Sequence, residues 1–111
     1  MNITIYNKLV RDRIPEIIEA SGKTCNVVVL DDVEYLHMLD AKMDEELKEY
    51  HEDKSIEELA DLLEVIYAAV IARGYTVEEL DCIRRKKAEK HGVFSNRLFL
   101  TKVIEYGNGE I

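Results

Sequence analysis

Two short acidic runs hold the residue types in this chain most capable of chemistry. Glu45-Glu46-Leu47-Lys48-Glu49 and Glu58-Leu59-Ala60-Asp61 each place carboxylates three residues apart. On a helix, residues three apart project within about 60° of each other. Glu46 and Glu49 therefore form one ledge, and Glu58 and Asp61 another. If a tight turn joins the two helices, Glu46 comes level with Asp61, and Glu49 with Glu58. Carboxylates converging in this way repel one another by roughly 0.5 kcal/mol per close pair even when exposed, and something must offset that. An all-oxygen set without His or Cys suits a hard cation, Mg²⁺ or Mn²⁺, better than zinc. A plainer reading stands beside this one: Glu58 answers Ser55 in a capping box, and Glu46 and Glu49 simply face solvent. Asp61 resists it, because it opens the apolar pair Leu62-Leu63, where an acid needs a partner.

The elements that must position these residues are legible from capping and periodicity. Asp31-x-x-Glu34 reads as a capping box opening a long helix, with Val33, Leu36, Leu39, Met43, Leu47 and Tyr50 on one stripe. A turn follows near Glu52 to Lys54, and Ser55-x-x-Glu58 opens a second helix. Leu59, Leu62, Leu63, Ile66, Val70 and Ile71 make the latter half of that helix apolar nearly all round, which predicts a central, buried element ending at Arg73-Gly74. Thr76-x-x-Glu79 opens a third, running to about Lys90 and ending at His91-Gly92. Near the start, Asp12 is a candidate cap for a short helix with Pro15 in its first turn, stopping at Ser21-Gly22. Residues 26–30 predict an isolated extended segment, and residues 97–103 a short strand. The expected fold class is mainly all-α: a small bundle of about four helices with short connections, one domain over 1–111.

Charge is segregated along the chain. Asp31 to Glu64 holds 14 acids and 3 bases, whereas Arg84 to Arg97 holds 6 bases and 1 acid. If the third long helix folds back on the second, Ala88 comes beside Asp61 and His91 beside Glu58. Lys87 and Lys90 then lie near the acid ledges, with Arg84 a turn further along. Cations beside a carboxylate-bound metal are what a polyphosphate requires. Plain salt bridging between adjacent helices is the other reading.

Composition removes several function classes. The chain has 111 residues, a formal net charge of −8, 47% hydrophobic residues, 5 glycines and 1 proline. It has the apolar material for a core and is neither disordered nor low-complexity. An acidic balance disfavours polymeric nucleic acid, whose affinity comes from phosphate neutralisation. The longest uncharged stretch of the helical middle, Val65 to Ala72, is 8 residues, too short for a membrane span. Met1-Asn2-Ile3-Thr4 lacks the layout of a signal peptide, and Cys25 and Cys82 stand alone, so a reducing cytoplasm is expected. A di-iron bundle needs paired Glu-x-x-His motifs, and only Glu34-x-x-His37 fits. No Ser or Cys has the His and Asp partners of a nucleophile.

Taken together, the residues resemble a known superfamily. Glu45-Glu46-x-x-Glu49 followed by Glu58-x-x-Asp61 is similar to the EExxE…ExxD signature of the MazG-like all-α nucleotide pyrophosphohydrolases. Lys8-Leu9-Val10-Arg11-Asp12-Arg13-Ile14-Pro15, Glu58 to Val65, and Arg84 to Leu100 with Gly92, Phe94, Arg97 and Phe99 resemble its phosphoribosyl-ATP pyrophosphohydrolase-like branch. The resemblance covers roughly residues 6 to 100. It implies a helical bundle, usually a homodimer or higher homo-oligomer, that cleaves a nucleotide between its α- and β-phosphates in the cytoplasm. By the same resemblance Glu46, Glu49, Glu58 and Asp61 are the Mg²⁺ ligands, with Mn²⁺ as a substitute. Glu45 orients or deprotonates the attacking water, giving Glu45, Glu46 and Glu49 as the catalytic set. Lys8, Arg11, Lys87, Lys90 and Arg97 are the phosphate contacts. The spacer of eight residues between Glu49 and Glu58 is shorter than in many members, implying a narrow pocket. His91 and Val93 stand where a more basic, glycine-rich ending is common. Phosphoribosyl-ATP hydrolysis in histidine biosynthesis is the enzymatic alternative, and an acidic helical binding module without catalysis is the other.

Overall fold

The computed structural model describes residues 1–107, and these contain four helices. They are α1 (Ile14–Ala20), α2 (Asp32–Asp53), α3 (Ile56–Ala72) and α4 (Val77–His91). The protein is all-α. The chain divides after Leu80, and the two units, Met1–Leu80 and the residues from Asp81 onward, are described separately.

Each of the three expected capping boxes forms its first bond. Asp31 Oδ1 accepts from the Glu34 amide at 2.8 Å, Ser55 Oγ from that of Glu58 at 3.3 Å, and Thr76 Oγ1 from that of Glu79 at 3.0 Å. These bonds satisfy amides that the helix leaves unpaired and so set where each helix begins. Lys54 closes α2 in the left-handed region (φ 59°), donating its amide to Tyr50 O at 2.7 Å. Its Nζ sits 5.2 Å from the Tyr50 ring centroid. The connection from α2 to α3 is therefore only Lys54-Ser55, which forces the two helices into a hairpin. Gly22, Gly74 and Gly92 follow the other helices with φ near +90°, as expected of residues just past a helix end.

The start of α1 differs from the sequence expectation. Arg13, not Asp12, is the cap; its backbone is already helical and no side chain caps the helix. An Ile14 amide bond to Arg11 O begins a turn before the helix proper, leaving Asp12 outside it.

Within Met1–Leu80, α2 packs along α3. Leu39 of α2 (4% exposed) and Val65 of α3 (8%) are the buried apolar side chains of this seam. The expected full burial of α3 is corrected: Ile66 to Val70 are half-buried, while Leu59, Leu63 and Ile71 are exposed. An apolar helix is covered only as far as its neighbours reach, and in this unit α2 covers one side. The two expected extended segments carry no regular secondary structure. Residues 26–30 and 97–103 form no ladder, since among the described residues no strand exists to pair with them. Cys25 is half-buried and Cys82 exposed, both as free thiols. No helix of the described residues is long and apolar enough to cross a membrane.

Candidate metal centre on the α2–α3 hairpin

The two-residue connection sets the register of the hairpin, and that register brings the two ledges together. Glu46 on α2 and Glu58 and Asp61 on α3 each offer a carboxylate oxygen, and these oxygens all lie within 4.8 Å of one another. Glu49 stands beside them and acts electrostatically on Glu46, although it lies outside that set of three.

Glu46 is buried, only 7% exposed, between the helices. Its Oε1 lies 3.4 Å from Lys42 Nζ, one turn earlier on α2, while its Oε2 is sealed from solvent without a hydrogen-bond partner. Glu58 Oε2 is likewise sealed and unpartnered. The backbone amide of Glu58 serves the Ser55 cap, but its carboxylate is directed at Glu46 and Asp61. Carboxylate oxygens buried without a hydrogen-bond partner are costly, a cost that a water, a proton or a bound cation would relieve.

The electrostatics follow from this crowding. Burial pushes the Glu46 carboxyl above its ordinary value, and the Glu49 charge adds to the shift against the opposing pull of Lys42. Burial also pushes Glu58 up, with the charges of Asp61, Asp53 and Glu46 behind it. Glu45 goes the other way. Burial would raise it, but hydrogen bonds from Lys8 and Lys42 outweigh that and hold it below the ordinary carboxylate range.

Two cations from the N-terminal segment close over the cluster. Lys8 Nζ donates to Glu45 Oε1 at 2.8 Å, and the Glu45 hydrogen bond raises the Lys8 ammonium in turn. Arg11 Nη2 donates to Asp61 Oδ1 at 2.7 Å, with Nη1 4.0 Å from Glu64 Oε1. Residues three apart in the chain thus reach one to α2 and the other to α3. Lys8 and Arg11 meet the acidic cluster, and their partners there are carboxylates.

Sequence reasoning missed Lys42, which is only 16% exposed and bridges Glu45 Oε2 at 3.3 Å to Glu46 Oε1. The signal was present: Lys42 precedes Glu45 and Glu46 by three and four residues, the spacing of neighbours on a helix. The remaining candidates lie in the unit that begins at Asp81. Lys87 and Lys90 are exposed on the last turns of α4. Arg97 is exposed in a turn where its amide donates to Phe94 O at 3.0 Å with φ +60°. Arg84 and Arg85 are tied to Asp81 at 2.9 and 2.8 Å, and the hydrogen bond from Arg84 leads in holding the Asp81 carboxyl low.

Comparison with known proteins adds one relative. A stretch of 42 residues is 60% identical to an uncharacterized protein of Mycolicibacterium smegmatis, covering 38% of this chain and 43% of that protein. The chain thus spans less than half the length of the relative it matches. No family model matches the chain, and no solved structure matches it.

Proposed function

We propose that this chain is a Mg²⁺-dependent nucleotide pyrophosphohydrolase. It cleaves a nucleoside or deoxynucleoside triphosphate between the α- and β-phosphates and serves in clearing the nucleotide pool. The observation that carries the reading is the pair of sealed, unpartnered oxygens, Glu46 Oε2 and Glu58 Oε2, in an all-oxygen cluster completed by Asp61. Such a donor set fits a hard divalent ion, and Mn²⁺ substitutes on the same grounds. Glu46, Glu58 and Asp61, with Glu49 alongside, would hold the ion, which supplies Lewis-acid stabilisation of the charge growing on the attacked phosphate.

The other residues take roles that their surroundings support. Glu45 adjoins the cluster and is held ionised by Lys8 and Lys42, which suits an acceptor that orients the attacking water. The water oxygen bonds to the α-phosphorus as its proton passes to the Glu45 carboxylate, the bond from that phosphorus to the α–β bridging oxygen breaks, and pyrophosphate leaves with the electron pair. Lys8 and Arg11 of the first unit are the phosphate-binding cations. The enzyme works in the cytoplasm as a homo-oligomer, and exposed Leu59, Leu63 and Ile71 on α3 are the surface a second copy would cover. The deciding experiment is pyrophosphate release across a panel of dNTPs, NTPs and phosphoribosyl-ATP with and without Mg²⁺. Asp61→Asn should abolish release. A chain that turns over none of these, and whose melting temperature is unmoved by Mg²⁺ plus nucleotide, would instead be an acidic binding module.

A further inference from the structure

Lys8 and Arg11 have partners that the proposed chemistry needs for other purposes. Lys8 occupies Glu45 Oε1, and Arg11 occupies Asp61 Oδ1. Lys42 holds the other Glu45 oxygen, so Glu45 has no oxygen free of a lysine. Neither contact of the N-terminal segment is sealed from water: the Lys8 and Glu45 side chains are 38% and 26% exposed, and those of Arg11 and Asp61 56% and 41%. Glu46 Oε2, by contrast, is buried and has no hydrogen-bond partner.

We propose that Lys8 and Arg11 are exchangeable counter-ions that make divalent-metal binding and polyphosphate binding mutually dependent. The inference rests on the nucleotide reading above and deepens it. Without ligand, the two cations balance Glu45 and Asp61. Asp61 turns fully to a metal only by giving up Arg11, and Glu45 Oε1 becomes free to receive water only when Lys8 leaves. A metal arriving alone takes Asp61 from Arg11 and adds its own positive charge near Lys8, which stays on Glu45, and a polyphosphate arriving alone strands the carboxylates. When both arrive, Lys8 and Arg11 transfer to phosphate oxygens, and every charge keeps a partner. Positive coupling between the two ligands follows from this exchange of partners, and linkage makes it reciprocal.

The test is calorimetric titration of MgCl₂ into the full chain, with and without saturating imidodiphosphate, corrected for the complex the two form in solution. In the parent protein, imidodiphosphate should tighten Mg²⁺ binding by about 5- to 150-fold, the usual span of such coupling. Lys8→Met and Arg11→Met should bind Mg²⁺ alone more tightly than the parent, with coupling reduced towards unity. Lys8→Arg should keep the coupling, and Lys23→Met, an equal change of net charge on an exposed loop residue, should leave both quantities unchanged. Helical circular dichroism confirms that each variant is folded. Weaker Mg²⁺ binding by the Met variants, or undiminished coupling in them, overturns the exchange while leaving the metal centre standing. A folded parent chain that binds no Mg²⁺ under either condition overturns the metal reading and the exchange with it.

Discussion

Arg11 Nη2 lies 2.7 Å from Asp61 Oδ1, joining the segment before α1 to the middle of α3 across fifty positions of sequence. Both side chains are about half-exposed, so water screens the pair and competes for it. Arg11→Ala should therefore cost less than about 1 kcal/mol of stability in urea unfolding. A loss well above that would make the contact a structural staple rather than a replaceable one.

Glu46 bears the opposite relation to stability. Its carboxyl is raised by burial and by Glu49, so the folded state holds that proton to higher pH than the unfolded chain does. The associated stability is full below the unfolded value of 4.5 and is lost as pH rises through the folded value; Glu58 behaves alike. Glu45 is lowered, so its stability is present above 4.5 and lost as pH falls through its folded value. Metal-free protein should accordingly gain stability as pH is lowered from neutral towards 4.5, then lose it below. Glu46→Gln should raise the melting temperature of metal-free protein at pH 7 and remove the rise produced by Mg²⁺. Thermal melts from pH 4 to 8, with and without Mg²⁺, read both effects.

Lys42 is the interior counter-charge of the cluster, within 3.4 Å of both Glu45 and Glu46. Lys42→Met leaves two partly buried carboxylates without it, a change of about 1–3 kcal/mol. Lys42→Arg should recover most of that. Chemical denaturation of the two variants side by side gives the comparison.

Leu39 is the most buried side chain of the α2–α3 seam. Leu39→Ala should destabilise the hairpin by about 2–4 kcal/mol, through lost transfer energy and the cavity left behind. Because the same seam sets the carboxylate register, Mg²⁺ affinity should fall along with the melting temperature.

What could be read from the sequence was whatever local chemistry controls. Asp31, Ser55 and Thr76 begin helices because their side chains accept bonds from amides three residues on, which needs no tertiary context. Glu46, Glu58 and Asp61 meet because α2 and α3 are joined by two residues, and a short connection leaves one register. Asp12 misled as a cap, since choosing between adjacent starts depends on the turn formed by Arg11. Residues 26–30 stand alone without a paired strand, as an isolated extended segment would. The short strand expected at 97–103 is absent because apolar composition creates a strand only where an edge is available to pair with. The burial of α3 was overstated for a related reason: apolar composition records what a helix needs covered, and α2 covers one side. Lys42 was overlooked because a lysine among many charges carries no sign of burial until the helix pair closes around it. The family resemblance marks Lys8 and Arg11 as phosphate contacts, but nothing local tells that their partners here are carboxylates 37 and 50 residues away.

The most direct measurement is pyrophosphate release from dNTPs and NTPs by the full chain at pH 7 with Mg²⁺, beside Glu46→Gln and Asp61→Asn. The expected result is Mg²⁺-dependent release that is abolished in both variants while their helical content is retained. Release at the parent rate in either folded variant, or parent turnover unaffected by chelating the metal, would contradict the assignment of Glu46, Glu58 and Asp61 as a catalytic metal centre.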